Sequence, residues 1–270
     1  MLPPLREVIA RHGLAARHSL GQHFLLDGNL TDRIVREVGD LTGRHVIEVG
    51  PGPGGLTRSL LASPAASITA IELDKRAVAA VTELAETASG RLRVLEANVL
   101  AVDLAVLAPP PRQVVANLPY NVASPLLVRW LRQAGSFERL TLMFQQEVAE
   151  RICAAPGGGE YGRLSVLTQW CCDARIVLRL PPAAFTPPPK VWSAVVGLTP
   201  YALQPDPALF ARMEALTAAA FGQRRKMLRG ALRGLGGEAL LDRAGIAADR
   251  RAETLTVAEF DRLVRVLADG

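Results

Sequence analysis

Four consecutive residues, Asn117, Leu118, Pro119 and Tyr120, carry the groups needed to hold a flat ring that bears an amine. The Asn117 side-chain oxygen and the Leu118 carbonyl oxygen can each accept one N–H of the amine. Pro119 stiffens the turn by fixing its own φ, and Tyr120 offers a face on which adenine can stack, worth roughly 1–3 kcal/mol. An adenine amine held in this way would direct its lone pair at an electrophile. The four residues therefore predict a catalytic site for amine alkylation, although the bare motif is also typical of a strand-ending turn.

The electrophile that suits this arrangement is a methyl group on a sulfonium, because such a methyl group is already activated. Its transfer needs no metal, strong general base or covalent nucleophile, since alignment of the reactants can supply most of the rate. The sequence agrees with this interpretation, because no Ser-His-Asp set, HExxH motif or cysteine nucleophile lies near the four residues. We therefore predict methyl transfer without a metal.

A glycine-rich turn follows the apolar segment 45–49 and precedes a helical pattern. Gly50 and Gly52 allow the backbone to turn tightly and a ligand to approach the main chain, and the start of the next helix adds oriented N–H groups. Both glycines are therefore predicted to bind a nucleotide-type cofactor. Together with Gly55 they also match the G-x-G-x-x-G fingerprint of dinucleotide enzymes, so the turn alone does not identify the cofactor.

Two polar residues follow the next two predicted strands. Glu72 is placed where a carboxylate can accept hydrogen bonds from both ribose hydroxyls of an adenosine-containing cofactor. Asn98 could contact the adenine amino group through its amide, although Asn after a strand is usually only a turn residue. Neither residue separates NAD from S-adenosylmethionine. A dehydrogenase, however, offers no explanation for the segment 117–120, which favours S-adenosylmethionine.

Strand and helix patterns that alternate through the first two thirds of the chain must position these residues. Apolar strand patterns with helical patterns between them lie at 45–49, 67–73, 92–95, 113–116 and 140–144. The alternation predicts an α/β fold, a Rossmann-like parallel sheet with helices on both faces. The end of the chain shows helical patterns alone. The predicted divisions are a leader at 1–28, the α/β domain at 29–203 and a small all-α domain at 204–270.

Composition excludes several other classes of protein. The 270 residues are 49% hydrophobic and 21% charged, the balance of a globular protein. The three cysteines, Cys153, Cys171 and Cys172, form no CxxC pair, so neither a disulfide framework nor a zinc site is predicted. The sequence shows no signal-peptide core and no apolar run of membrane-spanning length, which predicts a cytoplasmic protein without a membrane partner. A net charge of +5 is compatible with a polyanionic partner but modest.

Eight short segments can be recognised from one end of the chain to the other. They are Leu20–Leu25, Glu48–Gly52, Ile71–Asp74, Asn117–Asn121, Gln146–Arg151, Tyr161–Ser165, Phe185–Ser193 and Phe221–Lys226. Any one could occur by chance, but their order and spacing together are highly specific. In these segments the chain resembles the ribosomal RNA adenine N6,N6-dimethyltransferase family, and in particular its bacterial small-subunit members.

The resemblance implies a class I methyltransferase sheet with S-adenosyl-L-methionine as the cofactor. The cofactor pocket that it implies is built by His23, Leu25, Gly50, Glu72, Asn98 and Asn117. The segment 22–24 would fold over the cofactor as a lid, and Phe185 would face the adenine opposite Tyr120. His23 stands where the family usually has Asn, and Asn98 stands where it usually has Asp. Both keep hydrogen-bonding capacity, so we expect cofactor binding to survive.

The resemblance also implies small-subunit ribosomal RNA, within an assembling small ribosomal subunit, as the partner of a monomeric enzyme. The target adenine must leave its stack for N6 to reach the methyl donor. A basic cluster in the helical domain is predicted to contact RNA phosphates; its residues are Arg224, Arg225, Lys226 and Arg229, followed by Arg233. Two alternatives remain: a large-subunit rRNA adenine dimethyltransferase, and a ribosome assembly factor with secondary methyltransferase activity.

Overall fold

The computed structural model describes residues 2–14, 23–223 and 226–269. The chain forms two compact units, each assembled from more than one stretch of sequence. Unit 1 comprises Met1–Leu126, Ser136–Ala149 and Arg175–Thr199. Unit 2 comprises Leu127–Gly135, Glu150–Ala174 and Pro200–Gly270. Unit 2 therefore takes two segments from the middle of the chain in addition to the helical end.

Nine strands occur in the described residues, and seven of them form one sheet. The strands are β1 (Phe24–Leu25), β2 (His45–Val49), β3 (Ser67–Glu72), β4 (Leu92–Glu96), β5 (Arg112–Asn117), β6 (Arg139–Gln145), β7 (Cys172–Leu180), β8 (Phe185–Thr186) and β9 (Ser193–Pro200). The large sheet has the order β4-β3-β2-β5-β6-β9-β7. The two short strands β1 and β8 pair with each other, antiparallel, in a separate ribbon.

The sheet confirms the α/β prediction but is mixed rather than wholly parallel. Strands β2 to β6 are parallel to their neighbours, whereas β9 runs antiparallel to β6. The expectation of a parallel sheet is therefore confirmed for the five strands that alternate with helices, whereas the direction of β9 was not predicted, because a strand pattern records burial and not direction. The strand order reverses between β2 and β5, and ligands of open α/β sheets bind at such a switch point, beyond the carboxyl ends of the strands.

Strands β2 and β5 form the centre of the sheet and are almost wholly buried. Val46, Ile47, Val114 and Val115 have no exposed surface. A strand covered on both faces shows a continuous apolar run instead of alternation, which is why these strands were visible in the sequence.

Six helices begin in the first part of the chain, and the first of them lies in the segment predicted as a leader. They are α1 (Leu5–Arg11), α2 (Gly28–Val38), α3 (Gly55–Ala62), α4 (Lys75–Glu86), α5 (Tyr120–Leu131) and α6 (Gln146–Cys153). Val8 of α1 and the following Leu14 are buried against Ala77 and Ala80 of α4. The leader therefore contains a helix that packs on α4 within unit 1.

Unit 2 is helical. Its helices are α7 (Arg163–Cys171), α8 (Pro207–Gly222), α9 (Leu228–Ala231), α10 (Gly237–Arg243) and α11 (Val257–Ala268). Phe260 of α11 stacks on Phe221 of α8 with ring centroids 5.7 Å apart. Asp206 caps α8 by accepting a hydrogen bond from the Leu209 N–H at 2.8 Å, and Thr256 caps α11 in a capping box with Glu259.

Two helical predictions for unit 2 need correction. The pattern over 226–235 predicts one helix, but α9 is followed by a separate 3₁₀ turn at Arg233–Leu235. Gly230 and Gly234 interrupt this segment, and glycine weakens helices. Helix α7 was missed because its buried positions include Ser165 and Thr168, which hide the apolar periodicity. In the described part of the chain, no helix is long and apolar enough to cross a membrane.

Candidate active site

Most of the predicted site residues meet at the carboxyl ends of β2, β3 and β5, where two adjoining cavities lie. The first is lined by His23, Leu25, Gly50, Gly52, Glu72 and Asn117–Tyr120, among others. The second, of about 590 Å³, is lined by Asn98, by apolar residues that include Ile71, Leu73 and Leu100, and by the charged residues Glu72, Asp74, Lys75 and Arg76. Gly50, Glu72, Leu118 and Pro119 line both. The fold therefore brings the glycine turn and the Asn-Leu-Pro-Tyr motif together, although 60–70 residues of sequence separate them.

The glycine turn connects β2 to α3 and requires backbone conformations that other residues rarely adopt. Gly52 has a φ of 54°, and a Cβ there would lie 3.1 Å from the Phe24 ring. Its N–H donates to Glu72 Oε2 at 3.2 Å. The turn is thus held in place by the end of β3 and closely covered by β1, so a side chain at this position would collide with the cavity wall.

Gly55, the first residue of α3, provides a test of this close packing. A Cβ there would lie 2.5 Å from the Leu25 carbonyl oxygen, and a backbone atom cannot rotate away. We expect Gly55→Ala to lower the free energy of unfolding by about 1–3 kcal/mol, as measured by urea unfolding, even though Ala normally favours helices over Gly. Gly28→Ala, at the first residue of α2, is the matched control because no described atom lies within 4 Å of its Cβ position. Equal stability of the two variants would contradict the prediction.

Glu72 ends β3 with its carboxylate held by the backbone. Oε1 accepts from the Leu73 N–H at 2.8 Å and from the Asp74 N–H at 2.9 Å, while Oε2 accepts from Gly52. Each carboxylate oxygen has two lone pairs, so Oε2 can still accept a hydroxyl hydrogen bond. The carboxylate is therefore fixed in orientation and lines both cavities, which suits the predicted ribose contact.

Asn98 lies in the second cavity, after β4. Its Oδ1 accepts from the Leu100 N–H at 3.0 Å and caps a short 3₁₀ helix. Asn98 therefore acts as a turn residue, which is the alternative to a cofactor contact given in the sequence analysis. Oδ1 keeps a second lone pair and the amide nitrogen can donate, so the side chain can still bind a ligand through either atom. The adenine contact of Asn98 stays a prediction.

Asn117 is the last residue of β5, and its amide is oriented by the segment before β1. Its Nδ2 donates to the His23 carbonyl oxygen at 3.3 Å, so Oδ1 is the atom that can accept an N–H. The His23 ring lies against Tyr120 with centroids 5.7 Å apart and planes at 29°. Nδ1 of His23 is 2.8 Å from the Pro187 carbonyl oxygen, and since a carbonyl only accepts, Nδ1 carries the proton. These contacts hold the motif rigidly.

Tyr120 is the first residue of α5 and is anchored at its hydroxyl. Its Oη lies 2.7 Å from Oγ of Ser193, which is buried at the start of β9. Burial raises the pKa of the Tyr120 phenol, which favours the neutral form. The hydrogen bond fixes the ring, whose face is the predicted stacking surface.

Phe185 lies apart from the predicted site residues that line the two cavities. Phe185 lies in β8, pairs with Leu25 and is only 3% exposed, within the hydrophobic core of unit 1. It is not among the described residues that line either cavity, so its stacking on adenine stays a prediction.

Of the predicted RNA-contacting residues, Lys226 and Arg229 are exposed on unit 2. Gln22 of the lid segment, Arg224 and Arg225 lie outside the described residues.

Among the polar side chains that line the first cavity, Glu48 was not predicted from the sequence. It lies on β2 between β3 and β5, and it is 1% exposed. Burial raises its pKa from 4.5 to about 8, and the nearby Glu72 carboxylate adds to the rise, while the Thr57 hydroxyl opposes it. A lone acidic residue inside an apolar strand pattern was the signal that could have identified it.

No group of three or more His, Cys, Asp or Glu residues in the described ranges could hold a metal ion.

Known proteins resemble this chain over almost its whole length. The Ribosomal RNA small subunit methyltransferase A of Gluconobacter oxydans is 61% identical over 265 residues, which cover 98% of this chain and 88% of the relative. The protein of the same name from Paramagnetospirillum magneticum is 57% identical over 267 residues, covering 98% and 95%. The structure of a dimethyladenosine transferase from Plasmodium falciparum is similar with a TM-score of 0.77, 25% identity and coverage of 89% and 96%.

A second solved structure, the 23S rRNA methyltransferase ErmE, has a TM-score of 0.67 and 27% identity, covering 91% of this chain and 99% of that one. The family model described as Ribosomal RNA adenine dimethylase matches residues 13–269. The match includes the β2, β3 and β5 ends that build the two cavities. This chain belongs to the ribosomal RNA adenine dimethylase family.

Proposed function

We propose that this chain transfers methyl groups from S-adenosyl-L-methionine to N6 of adenines in small-subunit ribosomal RNA, giving N6,N6-dimethyladenosine during maturation of the small subunit. The observation that carries the proposal is the position of Asn117–Tyr120. The motif lines the same cavity as the glycine turn, at the switch point of the sheet. A cofactor site and an amine-holding site thus share one cavity.

The two cavities fit the cofactor in shape and in chemistry. The second is large enough for an adenosine group and has apolar walls, from residues such as Ile71 and Leu100, with Asn98 as a polar group. Glu72 would hold the ribose, because its carboxylate lies where the cavities join. Gly50 and Gly52 would bring the backbone close to the amino-acid end of the cofactor. His23 and Leu25 would cover that end in the first cavity.

The residues of the motif would position the adenine for the reaction. When bound, the sulfonium of the cofactor supplies an activated methyl group. The Asn117 Oδ1 and the Leu118 carbonyl would each accept one N–H of the adenine amine, which directs the nitrogen lone pair outward. Tyr120 would stack on the base, with Phe185 proposed on the opposite face after a side-chain rearrangement. The proton lost from nitrogen can pass to water, so the site needs no strong base.

The proposed RNA target follows from the relatives and from charge. Relatives that carry the small-subunit name are 55–61% identical to this chain, which favours a small-subunit target over a large-subunit one. Exposed Lys226 and Arg229 would contact phosphates, together with Arg224 and Arg225.

We also propose that the segment 22–24 covers the bound cofactor as a lid and that residues 204–270 contact the RNA. The cytoplasmic location and the monomeric state stay predictions.

The test is transfer of labelled methyl groups from S-adenosylmethionine to small ribosomal subunits that lack the modification, followed by nucleoside analysis. We expect labelled N6,N6-dimethyladenosine in the small-subunit RNA. Large subunits and already modified small subunits are the controls, and both should remain unlabelled. Labelling of the large subunit alone would replace the proposed target. Absence of any transfer, with binding of cofactor and subunit demonstrated, would favour an assembly factor.

A further inference from the structure

Of the three tryptophans in the chain, Trp192 is the one whose side chain is open to solvent. It is 49% exposed, and the adjacent Val191 is exposed as well. Trp130 is fully buried, and Trp170 is partly buried, with its Nε1 donating to Asp261 Oδ1 at 2.9 Å. The Trp192 ring contacts no other aromatic ring among the described residues. Isolated apolar side chains are common on protein surfaces, so a binding role for Trp192 has to follow from its position.

Trp192 lies on the segment 187–193, which joins β8 to β9 and is fixed at both ends to the first cavity. At its start, the Pro187 carbonyl oxygen is 2.8 Å from Nδ1 of His23. At its end, Ser193 Oγ is 2.7 Å from Tyr120 Oη. His23 and Tyr120 both line the first cavity. Trp192 is therefore one residue away from the anchor of the ring on which the adenine is proposed to stack.

The backbone of Trp192 is held by the neighbouring sheet. Its carbonyl oxygen accepts from the Gln146 N–H at 2.9 Å, and Ser193 pairs with Gln145 in the register of β9 and β6. A fixed backbone thus presents an open aromatic side chain. Since tryptophan has only two side-chain torsions, it offers a large contact area at a low cost in conformational entropy.

We propose that Trp192 is a stacking platform for the nucleotide next to the target adenine, and that Lys190 contacts the phosphate backbone of the same RNA segment. The inference rests on the proposed function, because it takes RNA as the substrate. When the adenine enters the first cavity, the adjacent nucleotide loses its stacking partner. Unstacked RNA bases are recognised by stacking on aromatic side chains. Lys190 is exposed on the same segment, and its positive charge matches a phosphate.

The experiment measures the affinity of the full chain for small ribosomal subunits that lack the modification, and kcat and KM for methyl transfer to them. Trp192→Ala removes the ring, Trp192→Leu keeps apolar bulk without a flat face, and Trp192→Phe keeps a flat face. Val106→Ala is the matched control, because Val106 is 77% exposed and lines neither cavity. Lys190→Gln tests the phosphate contact through the salt dependence of binding.

We expect Trp192→Ala and Trp192→Leu to bind the subunits about tenfold more weakly, the loss of one base–aromatic stack, and to raise KM with little change in kcat. Trp192→Phe should restore most of the affinity, and Val106→Ala should behave like the unmodified chain. Lys190→Gln should reduce the slope of log affinity against log salt concentration by about one. Thermal unfolding and cofactor affinity without RNA should be unchanged in all five variants.

Unchanged binding by Trp192→Ala, or full affinity in Trp192→Leu, would overturn the stacking function of Trp192. An unchanged salt slope in Lys190→Gln would overturn the phosphate contact. Binding of the subunits without methyl transfer by the unmodified chain would instead count against the proposed function, and the affinities of the Trp192 variants would still decide whether a base stacks there.

Discussion

Replacing Asn117 with Ala is expected to lower the rate of methyl transfer by about 100- to 1,000-fold, by analogy with the loss of one hydrogen-bonding group that aligns a reacting centre. The Asn117 amide nitrogen donates to the His23 carbonyl, which leaves the amide oxygen to accept the adenine N–H in the proposed complex. Without that acceptor the amine can rotate, and the lone pair is no longer aligned with the methyl group. The measurement is kcat with unmodified small subunits at saturating cofactor.

Two comparisons make the Asn117 result interpretable. Thermal unfolding shows whether Asn117→Ala still folds, and titration with the cofactor shows whether binding survives the loss of the contact with His23. Tyr120→Phe keeps the ring and loses the bond to Ser193, so its rate should fall much less than that of Asn117→Ala. If Asn117→Ala folds, binds cofactor and retains a rate close to that of the unmodified chain, the amine-holding function of Asn117 is wrong.

Replacing Glu48 with Gln is expected to stabilise the cofactor-free protein by about 3 kcal/mol near pH 7, since one pKa unit corresponds to about 1.4 kcal/mol. The pKa of Glu48 is raised from 4.5 to about 8. The favourable contribution of its neutral form is therefore complete below pH 4.5 and is lost as the pH rises through about 8. Gln stays neutral at every pH, so its advantage should grow over the same range.

Urea unfolding of both proteins from about pH 4.5 to about pH 9 measures this difference. The two stabilities should converge toward the acidic end, where Glu48 is neutral in the folded state and only about half ionised in the unfolded state. Glu138→Gln is the matched control, because Arg44 and Gln113 hold the pKa of Glu138 below its usual range. Loss of that carboxylate should not stabilise the protein. A pH-independent difference between Glu48→Gln and the unmodified chain would contradict the raised pKa.

The sequence located most of the candidate site because its residues lie in short local patterns. Gly50, Gly52 and Glu72 are each next to a strand end, and Asn117–Tyr120 follows another. Parallel strands in an α/β sheet end at a common edge, so finding the strand ends was enough to bring these residues together. Glu48 gave only one local signal, an acid inside an apolar strand pattern, because its burial depends on neighbours from two other strands and a helix.

The packing of Phe185 could not be predicted from the sequence for a different reason. The resemblance to the family predicts that it faces the adenine, but its packing depends on β1, whose residues lie about 160 positions earlier in the chain. Leu25 pairs with it, and the side chain is buried in the core of unit 1. A ribbon that joins such distant segments gives no periodic signal, because each strand has only two residues.

By itself the sequence determined the alternation of strands and helices, the glycine turn and the residue types of the site. These features depend on burial of apolar runs and on backbone conformations, which are written in neighbouring residues. Only the tertiary structure decided the antiparallel direction of β9, the pairing of β1 with β8, the packing of α1 on α4 and the complete burial of Glu48. Each depends on which distant segments meet, and that choice is made by the packing of the whole core rather than by any single stretch of chain.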